Sequence, residues 1–307
     1  MARILKTTVY VFLLLFLLLG IGGVWLIGPG NVSRIFLSTG ITYDTEAPKL
    51  PEMANPAILI FSKTNGFRAD DQIVAANTAL EALAKENGWS SFTTENAAVF
   101  NTEQLGKFKA IVWNSTSGDV LTPDQRTAFK SWLGAGGGYV GLHGAGGDPS
   151  YKWKWYVDDL IGAQFTGHTL GPHIQKARLV IEDMAHPATR GMKSEWVRTD
   201  EWYSFAASPR AKGYHVLVTI DEASYLPVEG FIPFRKPKDI SMGKDHPLIW
   251  WHCVGKGRAL YSALGHTPES YAEPQHLQLL QGAMGWAAGL ERPTCTDESD
   301  AKQKDTS

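Results

Sequence analysis

The chain of 307 residues predicts an α/β protein built on a doubly wound sheet, and three observations carry that prediction. Short continuous apolar runs (Ala57-Ile-Leu-Ile-Phe61, Ala110-Ile-Val-Trp113 and Tyr139-Val-Gly-Leu142) have the character of parallel strands covered on both faces. Segments with helical features separate them, so strand and helix alternate. Each run also exits into a polar, glycine-containing loop, where open α/β sheets hold their ligands.

Each element has its own local reason. Asp70 to Asn87 repeats apolar residues at helical spacing (Ile73, Ala76, Leu80, Leu83, Ala84) and stops at Gly88. Thr122-Pro123 opens the next helix with a capping hydroxyl and a proline in the first turn. The second half is richer in β-structure. Strands are expected at Ala177–Ile181 and Tyr214–Ile220, and Leu248–Cys253 and Arg258–Ala263 form a hairpin around Val254-Gly-Lys-Gly257. A helix over Leu277–Ala288 closes the domain.

The chain divides into an N-terminal apolar segment (1–30), a Pro-containing linker (31–55), the α/β domain (56–290) and a polar, disordered tail (291–307). Val9 to Gly28 carries no charge, and about 20 apolar residues in a helix span a bilayer core. A cleaved signal peptide has a shorter apolar region of about 7–15 residues and a small-residue cleavage site; Trp25-Leu-Ile-Gly-Pro29 has none. The segment is therefore read as one transmembrane helix. Arg3 and Lys6 precede it and place the N-terminus in the cytoplasm, with the domain exported to the periplasm or cell exterior. The two cysteines, Cys253 in a core strand and Cys295 in the tail, are expected to be free thiols.

A net charge of −2 excludes a polyanionic partner such as nucleic acid. Eleven tryptophans, several beside polar residues, favour a ligand with flat apolar faces and many hydroxyls, such as a small carbohydrate.

The stretch Gly136 to Asp148 resembles a nucleophile turn without a nucleophile. In G-x-S-x-G enzymes a Ser or Cys stands at this strand-to-helix turn, whereas Gly141-x-His143-x-Ala145 puts an imidazole there. His143 is expected to act as a proton-transfer group or ligand donor. His266 ends the last strand at the same sheet edge. Asp200-Glu201-Trp202-Tyr203 sets carboxylates beside aromatics. Adjacent strand residues face opposite ways, so Asp200 and Glu201 are not a glycosidase-type pair, and Glu201 is taken as the site carboxylate. His143, His266 and Glu201 are thus the expected catalytic set. Lys63, Arg68, Asp148, His168, Trp202 and Tyr203 are expected to bind substrate. His168 and His173 in a Gly/Pro-rich loop are either ligands of a divalent metal or part of a solvated sugar-binding loop. No metal ligand is assigned, and the sequence names no cofactor. Trp153-Lys-Trp-Tyr156 is either a packed short helix or a sugar platform.

Several of these motifs together resemble the trehalose-utilisation (ThuA-like) family. They are Phe61-Ser-Lys-Thr-x-Gly66-Phe-Arg68, Val140-Gly-Leu-His143, Phe165-x-Gly-His168, Asp200-Glu-Trp-Tyr203, His246-Pro-Leu-x-Trp250, and Gly255-Lys-Gly-Arg258 running to Leu264-Gly-His266. The resemblance implies a flavodoxin-like sheet of the class I glutamine amidotransferase-like kind and a role in sugar metabolism near enzymes that make keto-sugars. The family's first motif usually continues to a histidine, where this chain has Ala69. Without a thiol at the turn, glutaminase activity is not expected. Two readings remain: a membrane-anchored enzyme acting on a saccharide or keto-sugar by His/carboxylate acid-base chemistry, or a non-catalytic carbohydrate-binding module on a membrane stalk.

Overall fold

The computed structural model describes residues 20, 22–25, 27–149, 151–230 and 236–295. In chain order the strands of the first half are β1 (Ala57–Phe61), β2 (Ser90–Thr94), β3 (Ala110–Asn114), β4 (Gly138–Leu142), β5 (Phe165–His168) and β6 (Gln175–Ile181). They are followed by β7 (Glu195–Asp200), β8 (Tyr203–Phe205), β9 (His215–Ile220), β10 (Val228–Glu229), β11 (Lys238–Asp239), β12 (Pro247–Val254) and β13 (Gly257–Ser262). The α-helices are α1 (Pro29–Phe36), α2 (Asp70–Glu86), α3 (Thr102–Leu105), α4 (Pro123–Gly134) and α5 (Pro274–Ala287).

Nine strands form one sheet in the order β2-β1-β3-β4-β13-β12-β9-β6-β7. Pairing from β2 through β13 is parallel, and the order of that half matches the flavodoxin-like arrangement. Trp113 and Asn114, neighbours on β3, show the two-sided cover. The Trp113 ring stacks on Phe129 of α4 at 5.4 Å, while Asn114 Nδ2 donates to the Ile73 carbonyl of α2 at 3.0 Å. Successive strand residues point to opposite faces, so α2 and α4 flank the sheet. The α4 capping box is complete, with Thr122 and Gln125 exchanging side-chain and backbone bonds.

The β-rich half extends the sheet with antiparallel strands. Its register matters for the site. On β6, Leu179 pairs with Ile220, the last residue of β9, so Gln175 to Arg178 overhang the end of β9. The same overhang carries the end of β7, where Gln175 pairs with Asp200.

Residues 31–55, expected as a linker, are fastened along the domain. Asn31 bonds the Arg68 backbone in both directions, Thr42 and Asn65 exchange two bonds, and Asp44 accepts the Ala97 N–H at 2.8 Å. The expected transmembrane segment falls largely outside the described residues, and among those described no helix is long and apolar enough to cross a membrane. Most of the expected tail, 296–307, also lies outside them.

The free-thiol expectation is corrected: Cys253 and Cys295 form a disulfide, Cα atoms 5.5 Å apart. The polar composition of the tail hid this pairing. After α5 the chain turns back and buries Cys295 beside the Gly257 carbonyl, which brings it to the β12–β13 hairpin.

Candidate functional site

Strand direction brings distant residues to one edge. β13 runs parallel to β4, and the antiparallel steps through β12, β9 and β6 return β7 to the same direction. The ends of β4, β13 and β7 therefore deliver His143, His266 and Glu201 to one side of the sheet.

His143 leaves β4 with φ of 46°, in the left-handed region that costs an L-residue roughly 1–2 kcal/mol. Such strain persists only where surrounding structure enforces it. Here the enforcing contacts are explicit. The His143 carbonyl accepts the Tyr261 hydroxyl at 2.8 Å, and its Nδ1 donates to the Ala263 carbonyl at 3.0 Å. With Nδ1 so committed, Nε2 offers a lone pair when the ring is neutral and an N–H donor when it is protonated. Tyr203 stacks on the imidazole with ring centroids 4.4 Å apart, and its hydroxyl lies 2.9 Å from Nε2. The glycines that follow make the room: a Cβ on Gly147 would sit 2.4 Å from the Tyr203 ring.

Glu201 is the hub. Its Oε2 lies 3.2 Å from His143 Nε2 and 3.3 Å from His266 Nδ1. Its Oε1 lies 2.9 Å from His168 Nδ1 and in short contact with His173 Nε2. His143 and His266 also meet directly, Nε2 to Nδ1, at 3.0 Å. Burial by itself would raise the Glu201 carboxyl, but hydrogen bonding to His143, His168 and His173 and the nearby His266 outweigh it and hold it well below the usual carboxylate range. The imidazoles diverge. Burial pushes His266 down to about 4. His168 also feels burial, yet the hydrogen bond and charge of Glu201 outweigh it and raise His168 above the ordinary histidine value.

Exposure is graded across the centre. The side chains of His143 and Glu201 are 4% exposed, whereas His168 and His173 are 32% and 40% exposed. The centre is therefore open to solvent on the His168/His173 side. Two sets of donors, His143–Glu201–His266 and His168–His173–Glu201, each converge within 4.8 Å and share one carboxylate. This is a donor arrangement that could hold a metal ion and equally one that can pass protons.

Asp200 supports this centre from behind. Its Oδ1 accepts the backbone N–H groups of Glu201 and His266, both at 3.0 Å, and Oδ2 accepts that of Gly265 at 2.8 Å. Arg198, equally buried, sits 3.0 Å from Oδ2. Adjacent carboxylates thus divide the work, as opposite-facing neighbours must: Glu201 faces the imidazoles and Asp200 holds their backbone.

Several expected substrate-binding residues have other partners. Lys63 is buried and donates to Asp44 at 2.7 Å and Thr42 at 3.0 Å, tying the N-terminal strap to β1. Arg68 pairs with Asp70 and Glu95 at 2.5 and 2.8 Å. Asp148 Oδ2 accepts the Gly118 N–H at 2.6 Å and joins two loops. Trp202 is fully buried with its indole N–H on the Gln175 carbonyl, so its ring cannot stack on a sugar. Tyr203 is buried as well and touches His143. The Trp153–Tyr156 cluster packs on α4, with Arg126 over Trp153 and Lys130 over Trp155. His173 is the histidine whose place in the centre the sequence left open, since a five-residue step from His168 in a Gly/Pro loop matches no metal-site spacing. Asp200 carried no independent signal.

A family model described as "ThuA: Trehalose utilisation" matches residues 57–287. No curated protein matches the chain. Among solved structures, a ThuA-like protein from Bacteroides uniformis is similar with a TM-score of 0.63 and 24% identity, over 78% of this chain and 94% of that one. A ThuA-like protein from Parabacteroides merdae gives a TM-score of 0.55 and 16% identity, over 76% and 89% of the two chains. At these identities the two structures speak for the fold alone; the family match spans most of the chain, and the protein belongs to the ThuA, trehalose-utilisation, family.

Proposed function

We propose that this protein acts on a saccharide or keto-sugar by proton transfer at the histidine–Glu201 centre, from a domain exported across a membrane and tethered by the N-terminal apolar segment. The observation that carries the chemistry is a buried carboxylate surrounded by the imidazoles of His143, His168, His173 and His266, at a turn without Ser or Cys. A carboxylate this acidic is a weak base. Its role is to orient the rings and to balance positive charge on them. His143, with Nδ1 committed to Ala263, offers Nε2 to a proton. His168, raised and partly exposed, is the group best placed to donate one to a ligand. The saccharide class rests on the family's description, and the Cys253–Cys295 disulfide supports export, because such bonds persist in oxidising compartments.

The test is turnover of oxidised and unoxidised disaccharides by the full-length protein and by His143→Ala and Glu201→Gln. Loss of a proton-transfer group should lower the rate about 10²–10⁴-fold. Unchanged turnover in His143→Ala would sink the role of His143. Calorimetric binding without conversion would favour the module reading, which Ala69 in place of the family's usual histidine makes reasonable. Neither binding nor turnover across the panel would remove the saccharide reading altogether.

A further inference from the structure

The inner half of the centre has more electron-rich atoms than protons to share. His143 Nε2, His266 Nδ1 and Glu201 Oε2 form a triangle with edges of 3.0, 3.2 and 3.3 Å. The Tyr203 hydroxyl is a further neighbour of His143 Nε2 at 2.9 Å. The Ala263 carbonyl, which can only accept, holds the proton of His143 on Nδ1, so in the neutral ring Nε2 brings a lone pair. A carboxylate oxygen brings lone pairs only. A proton placed on any one of these atoms still leaves the opposite edge of the triangle as two lone pairs facing each other, within a buried site.

These spacings are those of ligand atoms around a shared cation. Two N/O ligands at about 2.0–2.2 Å from a zinc-like ion, at angles between octahedral and tetrahedral, lie about 2.9–3.5 Å apart. An ion at bonding distance from all three atoms would lie about 1 Å out of their plane, which leaves coordination positions open for water or ligand. The donor set also selects the class of ion. Two imidazoles and one carboxylate suit divalent first-row transition metals, and nitrogen-rich sites are poor hosts for magnesium or calcium. His168 and His173 fit a supporting role. Both reach Oε1, the other oxygen of the same carboxylate, as outer partners of metal-bound carboxylates do.

We propose that His143, Glu201 and His266 bind one divalent first-row transition-metal ion, and that His168 and His173 orient the shared carboxylate from outside. The assignment goes beyond the saccharide reading and does not rest on it; with the ion bound, His143 Nε2 is a ligand and the proton-accepting role proposed for it would fall to another group.

The experiment uses full-length protein, stripped with a chelator and titrated separately with Zn²⁺, Co²⁺ and Mg²⁺. Calorimetry gives stoichiometry and affinity, and the visible spectrum of the Co²⁺ form reports ligand geometry. One equivalent of Zn²⁺ or Co²⁺ is expected, with visible d–d bands and no competition from Mg²⁺. His143→Ala and Glu201→Gln should each weaken binding more than about 10³-fold, and His168→Ala only about 10–100-fold with the equivalent retained. Circular dichroism and melting curves establish that each variant is folded, and Glu201→Gln, nearly isosteric, serves if His143→Ala is not. A folded wild type that binds neither Zn²⁺ nor Co²⁺ at millimolar concentration overturns the proposal. So does wild-type affinity in folded Glu201→Gln, or a second equivalent that disappears in His168→Ala. Metal binding without sugar turnover would leave this assignment standing and count against the saccharide reading. Sugar turnover by a protein that binds no metal would do the reverse.

Discussion

Asp200 Oδ1 accepts the backbone N–H of His266 at 3.0 Å, so the last residue of β7 determines where the chain leaving β13 sets its imidazole. The same carboxylate faces Arg198 in a fully buried pair. Asp200→Asn keeps the shape and removes the charge, leaving Arg198 only the more distant, partly exposed carboxylate of Glu273 at 3.4 Å. We expect a stability loss of about 3 kcal/mol, the lower end for breaking a buried pair, in urea unfolding. A loss below about 1 kcal/mol would show that the pair does not hold the edge.

Gly147→Ala tests the packing that holds Tyr203 on His143. The new methyl would stand 2.4 Å from the Tyr203 ring, and that ring is buried with nowhere to swing. The expected cost is about 1–3 kcal/mol, accompanied by a change in ligand affinity as Tyr203 moves from Nε2. Gly134→Ala, at the end of α4 with open space around it, is the control and should be neutral or slightly stabilising. Equal melting temperatures for the two variants would contradict the steric account.

His186 should make folding sensitive to acid. It is buried beside Trp251 and Trp286, its Nδ1 accepts the Ala188 N–H, and burial pushes it down to about 3. The folded protein keeps the ring neutral while the unfolded chain protonates near ~6.5. The unfolded state therefore binds more protons between these values, and stability present above ~6.5 is lost as pH falls toward about 3. The full contribution is on the order of 4 kcal/mol. Denaturant unfolding of wild type and His186→Asn from pH 7 to pH 4 should show a smaller pH dependence in the variant; parallel curves would refute the assignment.

The disulfide closes a separation of 42 residues, for which loop-closure entropy gives a stabilisation of about 4 kcal/mol. Reduction, or Cys253→Ser with Cys295→Ser, should lower the urea midpoint accordingly, and unreduced denatured protein should show no titratable thiol. Two thiols per chain in oxidised preparations would restore the free-cysteine expectation.

Much of the parallel half was legible because its causes are local. Ala57–Phe61 and Ala110–Asn114 are apolar throughout, and Thr122-Pro123 carries its cap in its own side chains. The site was legible in part. His143, His266 and Glu201 follow strand ends, and strand ends can be read from apolar runs. Trp202 misled because an aromatic beside carboxylates looks alike in sequence whether the ring faces a sugar or the core. The ion pairs of Lys63 with Asp44 and of Arg68 with Glu95 could not be read from the sequence, because those partners lie 19 and 27 residues away.

The sequence by itself determined the alternation of strand and helix, the glycine turn at His143 and the family, since each depends on residues close together in the chain. Tertiary structure alone decided that the β6–β7 hairpin overhangs β9, that Asp200 and Glu201 face opposite ways toward different partners, and that His168 and His173 close on the carboxylate reached by His143 and His266. Those relationships depend on the register and direction of strands far apart in sequence. The chemistry of an imidazole depends on which atoms meet its two nitrogens, and here the carboxylate that His143, His168, His173 and His266 share comes from another part of the fold.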